Sequence, residues 1–257
     1  MLDEPEDLRY SADMRHFFTS DPHFSHGNIM KYCKRTLWMS PEERDLLAKQ
    51  QKHLDSNGRV PRELDFRVDY QSIDRMNQGL LENINKTVGE NDVLWCLGDW
   101  CFAQENKYYG VAKSFRDRIK CKTIHYIWGN HDNGSIGDIF TTNNELAMIA
   151  INPGNGAYWI GDDEIDSDRD AKYAQRIALC HYAMAIWNGS HKGNWHFYGH
   201  SHAGAEPWME EHFPGRRSLD VGVDNAFKIL GEYRPFSYEE LANLMAKRAG
   251  FSMDHHR

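Results

Sequence analysis

No stretch of this chain of 257 residues approaches the roughly 20 consecutive apolar residues that a membrane-spanning helix requires. The start, Met1-Leu2-Asp3-Glu4, lacks the basic and apolar regions of a signal peptide, so a cytoplasmic protein with no membrane partner is expected. Basic charge is scarce too: 30 Lys and Arg against 38 Asp and Glu leave a net charge of -8. That balance argues against coating nucleic acid through bulk electrostatics, and no stable nucleic acid complex is expected. Cysteine is limited to Cys33, Cys96, Cys101, Cys121 and Cys180, an odd number without a second pair at zinc-ribbon spacing. Reduced cysteines packed as small hydrophobes are the expectation. Internal repeats and low-complexity tracts are missing as well.

Aromatic and aliphatic residues are plentiful, at 40% hydrophobic with 8 Trp, 12 Tyr and 12 Phe, enough for a packed domain of this length. Short apolar runs at 16–20, 92–97, 123–128, 176–180, 195–198 and 218–221 predict buried strands. Helices are predicted between them. One begins at Ser40-Pro41-Glu42-Glu43, a capping box with proline in the first turn, and ends near Asn57-Gly58. Others cover 71–85, 105–118 and a segment opening at Ser237 with Glu240 as its capping-box partner. The alternation predicts an α/β layered fold. Residues 1–250 read as one domain with surface insertions at about 42–69 and 152–170, followed by a C-terminal tail over 251–257. The acidic run from Asp162 to Asp168 lacks the glycine and closing glutamate of an EF-hand loop and reads as a solvated loop.

Five polar signatures each end an apolar run: Asp21-Pro22-His23, Gly98-Asp99, Gly129-Asn130-His131-Asp132, Cys180-His181-Tyr182 and Gly199-His200-Ser201-His202. Each alone has an ordinary explanation, such as a turn, an N-cap or a satisfied histidine. Together they supply carboxylates, imidazoles and an amide at the ends of successive strands, where open α/β sheets place their sites. Those are the parts of a two-metal hydrolytic centre. His131 is left free to act on substrate, with Asp132 able to accept a hydrogen bond from it and hold its orientation.

This order of signatures resembles the calcineurin-like metallophosphoesterase superfamily, whose pattern is D-x-H, G-D, G-N-H-D/E, H and G-H-x-H. The segments Asp21 to Ile29 and His196 to His202 look most like its small phage and bacterial members. The resemblance implies a four-layer α/β/β/α sandwich and a location in the cytoplasm, that of the host for a phage-encoded chain. It implies Asp21, His23, Asp99 and His202 on one divalent transition metal ion and Asp99, Asn130, His181 and His200 on a second, with Asp99 bridging and His131 as general acid. The donor set accepts Mn, Fe, Zn, Co or Ni, and Mn is favoured. Two such ions lower the pKa of a shared water toward neutrality and neutralise phosphate charge.

Beyond the ligands, His26 and Asn28, followed by Lys31, Lys34 and Arg35, are candidates to line a phosphate entrance; a solvated basic face is the alternative. Trp187 is a candidate to stack on a base, with packing as its alternative. The expected activity is hydrolysis of a phosphodiester or phosphomonoester of a nucleotide or short nucleic acid. The alternatives are a metal-binding interaction scaffold and a metal-dependent nuclease. Oligomeric state is not legible.

Overall fold

The structure, a computed structural model, describes residues 14–54 and 58–250. The chain's start, Asn57 and the expected tail over 251–257 lie outside the described residues. The strands are β1 (His16–Thr19), β2 (Val93–Cys96), β3 (Thr123–Ile127), β4 (Thr142–Asn144), β5 (Leu146–Ile151), β6 (Tyr158–Ile160), β7 (Gln175–Cys180), β8 (Trp195–Tyr198), β9 (Ser218–Asp220) and β10 (Phe236–Ser237). The helices are α1 (Gly27–Tyr32), α2 (Pro41–Lys52), α3 (Tyr70–Thr87), α4 (Tyr108–Arg116), α5 (Asp162–Ser167), α6 (Glu206–His212), α7 (Val223–Leu230) and α8 (Tyr238–Ala246).

Two five-stranded mixed sheets result, ordered β10-β1-β2-β3-β4 and β6-β5-β7-β8-β9. The alternation of side chains along each strand explains how they pack. In the first sheet Phe17, Leu94, Cys96, Ile124 and Tyr126 face one way, into a core shared with Met30 of α1, Met76, Leu80 and Ile84 of α3, and Phe115 of α4. Their neighbours Phe18, Val93, Trp95, Leu97 and Ile127 face the other way and meet Ile149, Ile177, Leu179, Trp195 and Phe197 of the second sheet. Both faces of these strands are buried, so they read as continuous apolar runs. The far side of the second sheet, with Met148, Ala150 and Ala178, is covered by Ile165 of α5 and by Trp187.

The helix signals are physical. Ser40 Oγ accepts from the Glu43 amide at 3.2 Å and Glu43 Oε2 accepts from the Ser40 amide at 2.9 Å. The same exchange links Ser237 and Glu240 at 3.2 and 2.9 Å. Helix α2 ends at Lys52, short of the expected Asn57-Gly58, because no apolar residue beyond Leu47 is buried to extend its inward face. Asp69 caps α3 through the Gln71 amide at 2.7 Å. The helix expected over 105–118 opens as a tighter turn at 105–107 before α4 begins.

The segment 152–170 corrects the expectation that its acidic run is a loop. It contains β6, paired antiparallel to β5 through Ala150 and Trp159, and Trp159 and Ile165 are buried. The acidic residues Asp162, Asp163 and Glu164 form the first turn of α5, where the helix dipole favours negative charge.

Parallel strands β1, β2 and β3 of one sheet and β7, β8 and β9 of the other run into the segments that carry the signatures. A parallel bridge between Ser20 and Gly222 joins the two rims. Every candidate ligand is thereby delivered to one edge of the paired sheets.

Candidate metal centre

The strand ends are bent sharply. Eight described residues other than glycine have positive φ, and five are candidate ligands: Asp21, His23, Asp99, His200 and His202, at 56°, 49°, 56°, 64° and 48°. A left-handed backbone costs a non-glycine residue of order 1 kcal/mol or more and persists where the surroundings over-determine it, typically at functional sites. It also frees Asp21 and His23, two residues apart, from pointing to opposite faces. Glycine serves close approach here: a Cβ on Gly129 would lie 2.2 Å from Asp99 Oδ1, and one on Gly199 would lie 2.0 Å from Ser20 Oγ and 2.3 Å from Asp21 Oδ2.

The ligand atoms form two groups. Asp21, His23 and His202 offer atoms within 4.8 Å of one another, as do Asp99, His181 and His200. Asp21 Oδ1 lies 3.8 Å from His23 Nε2 and 3.9 Å from His202 Nε2. Asp99 Oδ2 stands between the groups, 3.3 Å from His23 Nε2 and 3.5 Å from His181 Nε2. Asn130 adds its Oδ1 at 3.1 Å from His181 Nε2.

The rear atom of most ligands is held while the front atom faces the cluster. His181 Nδ1 bonds Leu97 O at 2.6 Å, His202 Nδ1 bonds Asp224 Oδ2 at 2.7 Å, and His23 Nδ1 meets His26 Nδ1 at 3.2 Å. Asp21 Oδ2 accepts from the His200 amide at 2.9 Å and Asp99 Oδ1 from the His131 amide at 2.9 Å. This is how ring orientation and tautomer are fixed in metal sites.

The electrostatics favour cations. Burial pushes the Asp21 carboxyl up to about 7 and pulls His23 down to about 3. Burial opposes ionisation of Asp99, yet the His181 and His23 imidazoles beside it hold its carboxyl well below the usual carboxylate range. His181 rises to about 9 and His202 to about 11, because Asp99 and Asp224 respectively outweigh their burial. Buried carboxylates thus draw protons onto neighbouring imidazoles, protons that divalent cations displace. Two buried atoms at the centre, Asp21 Oδ1 and His23 Nε2, have no hydrogen-bond partner. Such orphans are costly unless an ion fills the space they face, and an oxygen and an imidazole nitrogen facing one point could hold a metal ion. The residues fit a metal.

The structure brings together Asp21, His23, Asp99, Asn130, His181, His200 and His202, with His131 exposed at the mouth, its ring 5.3 Å from that of His23. It corrects four other expectations. Asp132 does not orient His131. Its carboxylate accepts from the amides of Asp99, Trp100 and Gly129 and from the hydroxyls of Tyr108 and Tyr126, clamping two ligand loops together. Arg35 is fully buried and bidentate to Asp224 at 2.9 and 2.8 Å, so it does not line an entrance. Trp187 is buried, donates to Asn194 O at 2.9 Å and is packing, because one face lies against the second sheet. Asn28 is exposed on α1 and lines a cleft with Lys31 and residues of α2 that contains none of the candidate ligands. Lys31 is bound to Asp65 and Phe66 O. His26 is retained at the site, stacked on Phe102 at 4.4 Å, but as the support of His23.

The sequence reading missed Asp224, which holds His202 and Arg35, and Asp220, which accepts from Ser201 Oγ and the Ala203 and Gly222 amides. A signal existed: Asp220 to Asn225 ends the apolar run 218–221 in the same manner as the five signatures.

No protein-family model matches the chain. It is 23% identical over 234 residues to an uncharacterized protein of Methanocaldococcus jannaschii, an alignment spanning 90% of this chain and 91% of that one. The crystal structure of a protein of unknown function from Aquifex aeolicus matches 90% of this chain and 100% of its own with a TM-score of 0.51 at 16% identity, a likeness of fold.

Proposed function

We propose that the chain is a phosphoester hydrolase that works with two divalent transition metal ions, manganese favoured, on a four-layer α/β/β/α sandwich of the calcineurin-like metallophosphoesterase type. The observation that carries this reading is Asp99 Oδ2, held between His23 Nε2 and His181 Nε2 at 3.3 and 3.5 Å where two ligand groups meet. A monodentate carboxylate oxygen between two imidazole-rich groups is the arrangement a bridging ligand needs.

Asp21, His23 and His202 would hold one ion, Asn130, His181 and His200 the other, and Asp99 both. When bound, the pair supplies Lewis-acid charge and an acidified water for in-line attack on phosphorus. The chain's own part is orientation and proton transfer. Asp224, the Leu97 carbonyl and His26 keep the ligating nitrogens turned inward. His131, exposed at the mouth and fixed through its amide to Asp99, is placed to give a proton to the departing oxygen, a role worth about 10² to 10⁴ in rate.

The test is a panel in which metal-stripped protein receives Mn, Ni, Zn or Mg and is offered a p-nitrophenyl monoester, bis(p-nitrophenyl) phosphate, cyclic nucleotides and single-stranded DNA. Turnover with at least one metal is expected, whereas metal uptake without any turnover points to a binding scaffold. His131→Ala should retain metal and lose the most rate on esters with alkoxide leaving groups. Unimpaired cleavage of alkyl esters by that variant would remove His131 from the acid role.

A further inference from the structure

The loops that deliver the ligands carry two large rings into solvent. Phe102, three residues after Asp99, is 50% exposed, and Tyr182, next to His181, is 48% exposed. They sit at opposite ends of the paired clusters. Phe102 stacks on His26 at 4.4 Å and 12°, and His26 backs His23 of one group. Tyr182 stands edge-on to His200 and His181 of the other, at 4.9 and 5.1 Å. One face of Phe102 is taken by His26, which fixes the ring. Tyr182 touches its histidines in edge geometry, at 63° and 77°. Rigid rings beside a phosphate-binding centre are platforms for other rings. Two of the basic candidates for the entrance are engaged elsewhere: Arg35 is sealed inside and Lys31 is committed to Asp65.

We infer that Phe102 and Tyr182 are base-stacking platforms flanking the centre, one for each ester arm, and that the substrate is a phosphodiester joining two nucleosides, a dinucleotide or the end of a short single strand. This inference rests on the phosphoesterase reading. A monoester has one arm and would use one platform; a duplex keeps its bases stacked on each other and would use neither. Stacking is tolerant of base identity, so no sequence preference accompanies it.

The manganese-loaded protein is offered thymidylyl-thymidine and the same diester with an abasic sugar at the 5′ side, the 3′ side or both, with bis(p-nitrophenyl) phosphate as a general reporter. The sugar leaving groups are identical across the series, so differences report the bases. Removing either base should lower kcat/KM about tenfold, through KM. Phe102→Leu should abolish the effect of one base and Tyr182→Leu that of the other, while Tyr182→Phe, which keeps the ring, preserves both. Equal kcat/KM for the parent and the doubly abasic diester overturns the inference, as does a base effect that survives both leucine variants. Cleavage of the reporter but not of the dinucleotide also overturns it while leaving the phosphoesterase reading intact. No cleavage of any compound by metal-loaded protein overturns both.

Discussion

Arg35 shows how a residue can serve the centre without touching a ligand atom. It holds Asp224 in a bidentate pair and also donates to the carbonyls of Asp21 and Pro22 at 2.8 Å; Asp224 in turn holds His202. One buried guanidinium thus spans the first and the last signature. Arg35→Met should strip the buried Asp224 carboxylate of its bidentate partner, leaving it His202 alone, and cost about 3 to 5 kcal/mol in denaturant unfolding, and metal affinity should fall by about 10- to 100-fold. An unchanged urea midpoint would show that the pair is not structural. At Asp132, five donors converge on one carboxylate, and an amide presents only one acceptor oxygen to them. Asp132→Asn should destabilise by about 2 to 4 kcal/mol, while its effect on leaving-group dependence, unlike that of His131→Ala, should be small. The seven candidate ligands that the structure gathers were legible as a group because each ends an apolar run in a distinct polar word. Arg35 was misread as an entrance residue because its partner lies 189 positions away, and no local pattern reports such a distance.

The elements most legible from sequence are those whose signal is local chemistry. Ser40 and Ser237 close capping boxes in the predicted places, and each should lose about 1 kcal/mol when changed to Ala, measured as a shift in chemical denaturation. Five of the six strands found run into candidate ligands, and the sixth, β9, runs into Asp220 and Asp224. Strand β5 passed unseen because Leu146-Ala147-Met148-Ile149-Ala150-Ile151 mixes good helix formers into a run buried on both faces. Strands β4, β6 and β10, of three, three and two residues, are too short to display a period. They exist because neighbouring strands offer hydrogen bonds, a tertiary effect. Helix α5 was hidden by its charge, since one buried residue, Ile165, suffices to dock a six-residue helix.

At the scale of the molecule, two sheets share one core and present one rim, and the described histidines include some gathered at the rim and others locked inside. His16, His125 and His196 belong to the second kind: burial pulls them down to about 4, 3 and 4. Their ordinary value is 6.5, so between pH 6.5 and about 4 these three sites bind more protons in the unfolded chain than in the folded one. The stability they contribute is therefore complete above pH 6.5 and declines as pH falls through this window. Thermal melts at pH 7.5 and pH 5 check this, with a lower Tm expected at pH 5. Chelation should also lower Tm at pH 7.5, because a ligand bound only by the folded state at a thousand times its Kd contributes about 4 kcal/mol. The two-ion claim that unites the rim is tested most directly by titrating metal-stripped protein with Mn²⁺ while following hydrolysis of bis(p-nitrophenyl) phosphate. Activity should climb to a plateau at two ions per chain for the wild type and stay near background for Asp99→Asn. A plateau at one ion per chain, or an Asp99→Asn variant that binds and works like the wild type, would contradict the account.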